Sequence, residues 1–238
     1  MAKKHGKKYL EALKKVDQSK LHAPADAVRL VKETSFTKFD ASVEVHLRLG
    51  IDPRQADQNI RSTVALPHGT GKSVRVLVFA QGESAQAARD AGADFVGADE
   101  LIAQIDRENF FDFDIAIATT DMMAKVGRVA RKLGPRGLMP NPKSGTVVPG
   151  EDLSRTIREV RGGRVEFRND KTGLLHVGVG KVSFSEQQIT ENISALMEAV
   201  KGTKPSSIKG TFVRSVTFTS TMGPGIPVDP TAAQAMNA

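Results

Sequence analysis

The strict alternation of apolar and polar side chains over residues 41–49, ASVEVHLRL, limits the choice of fold more than any other segment. The apolar positions share one face of an extended strand, namely Val43, Val45, Leu47 and Leu49. The pattern is typical of a sheet with one buried face and one face in water. His46 lies on the polar face with no cluster of partner residues, so we interpret it as a solvated residue and not as a ligand.

The two ends of the chain predict elements that complete this sheet. Ser185 and Gln188 form a capping-box pattern at the start of a helix over 185–201, and Gly202 stands where a C-terminal cap belongs. Strand-like runs flank this helix at 173–181 and 211–219, and Pro24 opens a shorter helix that reaches about Glu33. Together these elements predict a two-layer α+β domain built from both ends of the chain.

The middle of the chain has a different pattern. Residues 74–80, VRVLVFA, form a continuous apolar run of the kind that is buried on both faces of a parallel sheet. The later elements predicted here are helices over 84–91, from Asp99 and over 121–133, and strands at Phe95–Val96 and over 111–120. Strands that alternate with helices predict an inserted three-layer α/β domain of Rossmann-like type.

Charge is distributed along the chain in the same way. The whole chain carries a net charge of +7, with +5 on residues 1–67, −1 on residues 68–159 and +3 on residues 160–238. We therefore expect a basic domain from 1–67 and 160–238, interrupted by a neutral domain at 68–159. The connections contain residues able to absorb or direct backbone rotation, which makes them candidate hinges: Pro67, Gly69, Gly71, Gly162 and Gly163.

Several classes of function lack support in the sequence. The chain has no cysteine and no scattered histidine belongs to a metal-binding pattern, so no metal or other cofactor is expected. No apolar run approaches the ~20 residues of a membrane helix, and no secretion signal begins the chain, so we expect a cytoplasmic protein without a membrane partner. GTGKS at 69–73 has Leu66 where a phosphate loop needs glycine, and it precedes a strand, so we interpret it as a flexible connector. A nucleotide-binding enzyme built on the α/β insert remains the alternative.

A basic segment at 125–147 precedes and includes a proline-rich loop. Its six basic residues are Lys125, Arg128, Arg131, Lys132, Arg136 and Lys143. Pro140 and Pro142 favour a rigid, extended loop, which presents cations to phosphates at a low cost in ordering. A purely structural crossover loop is the competing interpretation.

Two other places are suited to RNA. Lys38 and Phe39 precede the strand at 41–49, where a cation and a ring could contact backbone and ribose together. Hydroxyl side chains crowd the end of the last strand and lead into a Met-Gly turn; they and the turn comprise Ser215, Thr217, Thr219, Ser220, Thr221, Met222 and Gly223. Small hydroxyls bond to 2′-OH and phosphate groups, although a Thr-rich strand also reflects β-propensity alone.

Several of these segments resemble a known family in the same order along the chain. LGPRGLMPNPKSGTV at 133–147, with Lys125 and Gly127 before it, resembles the signature of the large-subunit ribosomal protein L1 family, the stalk proteins, in its bacterial form. Residues 39–72, 166–184 and 213–224 are similar to further blocks of that family. The resemblance covers essentially residues 5–225.

The resemblance implies an RNA-binding domain and a hinged insert in a protein that is not an enzyme. It implies binding to the stalk region of 23S ribosomal RNA in the large subunit beside exit-site tRNA, a part in releasing deacylated tRNA, and repression through the leader of its own operon mRNA. The RNA-contacting positions that it implies are Lys38, Phe39, Ser215, Thr221, Met222 and Gly223, with Asp170, Lys171, Thr172 and Gly173 in a loop near them. A free-standing RNA chaperone or a pure repressor would share this surface.

Overall fold

The computed structural model describes residues 5–236. Its helices are α1 Lys7–Leu13, α2 Pro24–Glu33, α3 Gly82–Asp90, α4 Asp99–Arg107, α5 Met123–Val126, α6 Ala130–Leu133, α7 Leu153–Arg161, α8 Glu186–Gly202 and α9 Pro230–Ala235. Its strands are β1 Ser42–Leu49, β2 Arg61–Ala65, β3 Val76–Phe79, β4 Phe95–Gly97, β5 Ile115–Thr119, β6 Val147–Val148, β7 Arg164–Arg168, β8 Leu174–Lys181, β9 Val213–Ser220 and β10 Ile226–Val228. The chain divides into two compact units, and the second unit is Lys72–Arg164.

The first unit, formed by the chain up to Gly71 and from Val165 onward, is built on a four-stranded sheet. Its strand order is β10-β9-β1-β8, and its neighbouring strands are antiparallel. The apolar side of β1 is fully buried against a core that includes residues of α2 and α8, as the alternation over 41–49 predicted. β2 and β7 form a separate two-stranded sheet.

Helix α8 begins and is buried as its sequence dictates. The Ser185 hydroxyl accepts the Gln188 N–H, and the Gln188 side chain accepts the Ser185 N–H, which completes the capping box. Its apolar stripe, including Ile193, is fully buried in the core. The prediction that Gly202 caps the end is wrong. Gly202 is the last helical residue, and the Thr203 hydroxyl donates to the Val200 carbonyl to close the final turn.

The second unit has a parallel sheet of order β4-β3-β5-β6. Every residue of β3 is buried, because separate apolar clusters cover the two faces of the sheet. Leu77 and Phe79 belong to one cluster, and Val76 and Val78 belong to the other. The α+β class with an α/β insert is therefore confirmed.

Two predicted elements of the second unit are wrong in extent. The strand expected over 111–120 is limited to β5, because Phe111 and Phe113 pack into the core cluster before the strand begins. The helix expected over 121–133 is broken into α5 and α6 by a 3₁₀ turn at Gly127–Val129. Glycine is a poor helix former, which explains why the break begins at Gly127. Within residues 5–236, Asp121 makes no side-chain capping contact.

Candidate nucleic-acid interface

The residues predicted to contact RNA are distributed along β1. Thr221 is hydrogen-bonded to Ser42 where β1 begins, and the Lys38–Phe39 segment leads into the same end. The Gly173 carbonyl accepts the Leu49 N–H where β1 ends, and Ser215 is paired with Arg48. The eight residues of β1 span about 24 Å between these two clusters. The structure therefore brings most of the predicted residues to the two ends of one strand, and it places Thr217 between them, opposite His46.

The first cluster is a tight turn after β9. The Gly223 N–H donates to the Ser220 carbonyl over 2.8 Å, and Met222 adopts a φ of 66°, a left-handed conformation that few non-glycine residues adopt. The Met222 side chain is 69% exposed, and the Phe39 ring is 59% exposed. Two large apolar side chains thus lie in water at this end of the sheet, where burial against a partner would stabilise a complex.

The Thr221 hydroxyl is hydrogen-bonded within the protein, and its contact with RNA stays a prediction. Its hydroxyl accepts the Ser42 N–H over 3.0 Å, and its own N–H donates to the Ser42 carbonyl over 3.0 Å. The side chain therefore holds the Met-Gly turn against β1. We interpret Thr221 as a positioning residue whose hydroxyl is already engaged within the protein.

The second cluster is the loop of residues 170–173. Asp170 accepts the N–H groups of Thr172 and Leu174, each over 2.8 Å, and also the Thr172 hydroxyl. The Leu174 N–H, followed by the Thr172 hydroxyl, holds the pKa of Asp170 below its usual range. Gly173 is buried with a φ of 79°, and a Cβ there would lie 3.3 Å from Ile51. Asp170 and Gly173 shape the loop, while Lys171 is exposed.

Three rows of side chains cross the outer face of the sheet between the two clusters. They are Gly178, Glu44 and Thr219 in the first row, His176, His46 and Thr217 in the second, and Leu174, Arg48 and Ser215 in the third, with Leu174 as an apolar member. Residues paired across antiparallel strands share a face, so these polar groups lie on the side opposite the apolar core. The sheet consequently has one open, polar face.

The interpretation of His46 as a solvated residue without partners is wrong. Its Nδ1 lies 2.8 Å from Nδ1 of His176, and its side chain is 27% exposed. Sequence reasoning also missed Glu44, Arg48 and His176 as residues of this surface. Aligning the polar positions of 41–49 with those of 173–181 would have placed the two histidines on one face, but the register between strands is not apparent from either segment alone.

This face and its two ends carry donor groups that have no partner within the described part of the chain. Within residues 5–236, the hydroxyls of Ser215 and Thr217 have no hydrogen-bond partner, and Lys38, Arg48 and Lys171 form no ion pair. These hydroxyl and cationic groups are able to donate to an external ligand without first breaking a contact. They match the 2′-hydroxyls and phosphates of RNA.

The basic segment at 125–147, called the secondary basic loop from here on, is only partly available for such contacts. Three of its six cations are engaged. Lys125 pairs with Asp99 over 2.8 Å, Lys132 pairs with Asp106 over 3.3 Å, and the Arg136 guanidinium lies 3.6 Å from the centre of the Phe111 ring. Among the described residues, Arg128, Arg131 and Lys143 are exposed and form no ion pair. The loop is also less extended than expected, because a 3₁₀ turn capped by Asn141 occupies Pro142–Ser144.

The first predicted hinge, at Pro67, Gly69 and Gly71, is held to the first unit by hydrogen bonds and by packing. The His68 N–H donates to the Asn192 side chain over 3.0 Å, and the Asn192 amide donates to the carbonyls of Gly69 and Val179. A Cβ at Gly71 would lie 2.8 Å from the Lys181 side chain. The segment after Pro67 is therefore less free than the flexible connector that the sequence indicated.

The second predicted hinge follows α7. Gly162 is the C-cap of that helix, with an ordinary φ of −69°, and only Gly163 of this pair adopts a left-handed φ, of 109°. Gly163 is thus the residue of the two whose conformation favours glycine. The rotation of one unit on the other stays a prediction.

The described residues contain no group of three or more His, Asp or Glu side chains arranged to hold a metal ion. They also contain no helix with the length and apolar character to span a membrane. GTGKS precedes strand β3, and no helix begins directly after it in this part of the chain. A phosphate loop, in contrast, follows a strand and opens a helix.

Comparison with known proteins identifies the family. The model of the Ribosomal protein L1p/L10e family matches residues 31–224. The chain belongs to this family. It is 75% identical to the large ribosomal subunit protein uL1 of Chloroflexus aurantiacus over 99% of each chain. It is 76% identical to uL1 of Chloroflexus aggregans over 97% of this chain and 98% of that one, and 56% identical to uL1 of Thermobifida fusca over 96% of each.

Membership of this family of ribosomal proteins confirms the resemblance seen in the sequence. It also confirms that the protein is not an enzyme, so the alternative of a nucleotide-binding enzyme built on the α/β insert is wrong. The matched range spans the second unit and most of the first, including β1, the 170–173 loop and the Met222 turn. The whole candidate interface therefore lies in the part of the chain that the family model matches.

Proposed function

We propose that this protein is a structural component of the large ribosomal subunit that binds the stalk region of 23S ribosomal RNA through its first unit. In this proposal residues 1–67 and 160–238 form the RNA-binding domain, and residues 68–159 form the insert. A ribosomal protein of this bacterial family acts in the cytoplasm. The observation that carries the proposal is the open sheet face, which has free donor groups on it and exposed apolar side chains at one end.

Binding on this surface requires recognition of RNA shape and no covalent step. The Ser215 and Thr217 hydroxyls donate to 2′-OH or phosphate oxygens, and Lys38 and Lys171 add salt-dependent attraction at the two ends. Phe39 and Met222 exclude water and provide apolar surface for an unstacked base or a ribose. The hydrogen-bonded turn and loop fix the spacing of these groups before RNA arrives, which lowers the ordering cost of binding.

Phe39→Ala tests this surface with little risk to the fold, because the ring is mostly in water. We expect a loss of about 1–3 kcal/mol in affinity for a 23S stalk RNA fragment if the ring stacks on a base. Leu21→Ala is the matched control, since Leu21 is 64% exposed and lies outside the proposed surface. Filter binding measures both variants. Equal affinities for the two variants and the parent protein would contradict the proposed surface.

Two further activities belong to the same proposal. We propose that the protein assists release of deacylated tRNA from the exit site and represses translation by binding the leader of its own operon mRNA. The same surface would bind the ribosomal RNA and the leader, so Phe39→Ala should relieve repression of a reporter that carries the leader. Relief without any reduction in stalk RNA binding would separate the two activities. Ribosomes lacking the protein should release deacylated tRNA more slowly.

The secondary basic loop is proposed as a weaker phosphate-binding site, with tRNA as its candidate ligand. Its available cations are Arg128, Arg131 and Lys143. Replacing all three with Gln should reduce the slope of log affinity against log salt by about 0.9 for each phosphate that the loop no longer neutralises, taking the duplex value. Lys125→Gln is the matched control, because Lys125 is already paired with Asp99. An unchanged salt slope in the triple variant would assign the loop a structural role only.

We also propose that the two units rotate about the connections after Gly71 and at Gly163. Small-angle scattering of the free protein and of its RNA complex tests this motion. Identical conformations in both states would contradict it.

A further inference from the structure

A pair of histidines occupies the centre of the open sheet face. His46 and His176 are directly opposite each other on β1 and β8, and their Nδ1 atoms are 2.8 Å apart. At this distance one ring donates its Nδ1 proton to the other, which accepts it. The two Nδ1 atoms therefore share one proton, and a proton on both of them would break the contact.

Each ring also has a carboxylate near its other nitrogen. Nε2 of His46 lies 3.8 Å from Oε2 of Glu44, and Nε2 of His176 lies 4.0 Å from Oδ2 of Asp170. The result is a continuous row of acid, histidine, histidine and acid, with Glu44 and His46 on β1, His176 on β8 and Asp170 in the 170–173 loop. Of the two carboxylates, Glu44 favours the protonated form of His46.

Other charged groups surround this row. On β1 the next polar residue is Arg48, and on β9 the neighbours Ser215, Thr217 and Thr219 are uncharged. Beside His176, a depression of about 620 Å³ is lined by Glu166, Arg168, Asn169, Asp170 and Lys171 as well as by His176 itself. The pair thus lies between the hydroxyls of β9 and a polar hollow next to the 170–173 loop.

We propose that His46 and His176 form a proton-dependent RNA contact, so that RNA binding is coupled to uptake of a proton by the pair. This inference rests on the proposed function of the same face. An RNA phosphate near the rings stabilises their protonated forms, and by linkage protonated rings strengthen binding of the phosphate. The affinity for RNA consequently rises as the pH falls through the range in which histidine titrates.

The electrostatics of the free protein leave this response available. Burial, followed by the charge on His176, lowers the pKa of His46, and Glu44 opposes the shift. The pair therefore resists its second proton until RNA supplies additional negative charge.

The affinity for the 23S stalk RNA fragment should be measured from pH 8 to pH 5.5 at constant ionic strength. Uptake of one proton changes affinity by at most about tenfold per pH unit, so we expect roughly a tenfold gain over this range. In His46→Gln and His176→Gln most of this gain in affinity should disappear, and only the gain from titration of the other charged groups should remain. His5→Gln is the matched control, because His5 stacks on Tyr9 outside the proposed interface.

Calorimetry in two buffers of different ionisation enthalpy counts the protons directly. The parent protein should take up a proton on binding near pH 6.5, and His46→Gln should take up fewer. Equal proton uptake in the parent, His46→Gln and His176→Gln would overturn the inference while leaving the proposed function intact, provided that Phe39→Ala still weakens binding. Absence of stalk RNA binding by the parent protein at every pH would overturn both. A thermal melt of each Gln variant checks that it is folded.

Discussion

The sheets of the two units differ in how many of their faces are covered. In the second unit apolar clusters cover both faces, so its charged groups lie on the helices and in the loops, where several of them are paired. In the first unit the core covers one face only, and the other face carries a histidine pair and a row of hydroxyls. An antiparallel sheet is able to present side chains from the middle of its strands, which a doubly covered parallel sheet is not.

The largest effects on stability should come from removing core aromatic side chains, and each effect should be confined to one unit. Phe218 and Phe79 are both fully buried, the first in the core of the first unit and the second in that of the other. Replacing either with Ala should lower the free energy of unfolding of its own unit by about 3–5 kcal/mol. Hydrogen exchange measures this unit by unit. Only Phe218→Ala should also impair RNA binding, and an equal impairment in Phe79→Ala would show that the two sheets do not differ in this way.

Asn192→Ala should have the next largest effect. The fully buried Asn192 amide serves the His68 N–H and the carbonyls of Gly69 and Val179, and its removal leaves these groups without their partner. We expect a decrease of about 2–3 kcal/mol in the free energy of urea unfolding of the first unit, together with faster exchange of the His68 amide. Glu198→Ala, on the exposed side of α8, is the control and should change stability by less than about 0.5 kcal/mol. Unchanged exchange at His68 would show that the connector is held by other contacts.

Thr221→Val and Thr217→Val distinguish a positioning role from a direct contact with RNA. The Thr221 hydroxyl accepts the Ser42 N–H, so its removal should reduce stability by about 1 kcal/mol and weaken RNA binding indirectly. The Thr217 hydroxyl has no partner in the described part of the chain, so Thr217→Val should leave thermal stability unchanged and weaken RNA binding alone. A stability decrease of similar size in both variants would contradict these separate roles.

Lowering the pH should reduce the stability of the two units over different pH ranges. This effect should be smaller than those of the three sets of substitutions above. Burial lowers the pKa of His46 in the folded protein. The unfolded chain therefore binds more protons at this residue, so the folded state loses stability as the pH falls. The stability that neutral His46 contributes is present above about pH 6.5 and is lost as the pH falls through the lower pKa of the folded state. In the second unit the Val76 N–H lowers the pKa of Asp94, and the Arg75 N–H lowers that of Asp114. The stability that these two carboxylates contribute is present above about pH 4 and is lost as the pH falls through their pKa values in the folded state.

Unfolding followed by hydrogen exchange between pH 7 and pH 3 tests this difference. The first unit should begin to lose stability near pH 6, whereas the second should remain level until below about pH 4. His46→Gln should remove the early decrease. Parallel profiles for the two units would contradict the assignment.

Local patterns predicted much of the fold. The alternation over 41–49 and the capping box of α8 are set by neighbouring residues, so both were readable from the sequence. The short β5 was not, because Phe111 and Phe113 have strand-like character but pack against the core outside the strand. The break at Gly127 was not readable either, because the low helix propensity of a single glycine does not tell whether the chain forms one helix or two.

The site was predictable where it consists of contiguous segments and not where it depends on pairing between strands. Lys38–Phe39 and the Met222 turn each stand out locally, and the structure places them at the same end of β1. The contact between His46 and His176 joins residues 130 positions apart, and only the register of β1 and β8 reveals it. The engagement of the Thr221 hydroxyl by Ser42 is another long-range contact of this kind.

Hydrogen exchange of the protein, free and bound to the 23S stalk RNA fragment, asks whether the open face of the first unit is where RNA binds. We expect slower exchange on binding in the 38–42, 170–176 and 215–223 segments of the first unit, with the core strands of the second unit unchanged. Protection confined to residues 125–147, with no change along β1 or in the Met222 turn, would contradict binding at that face.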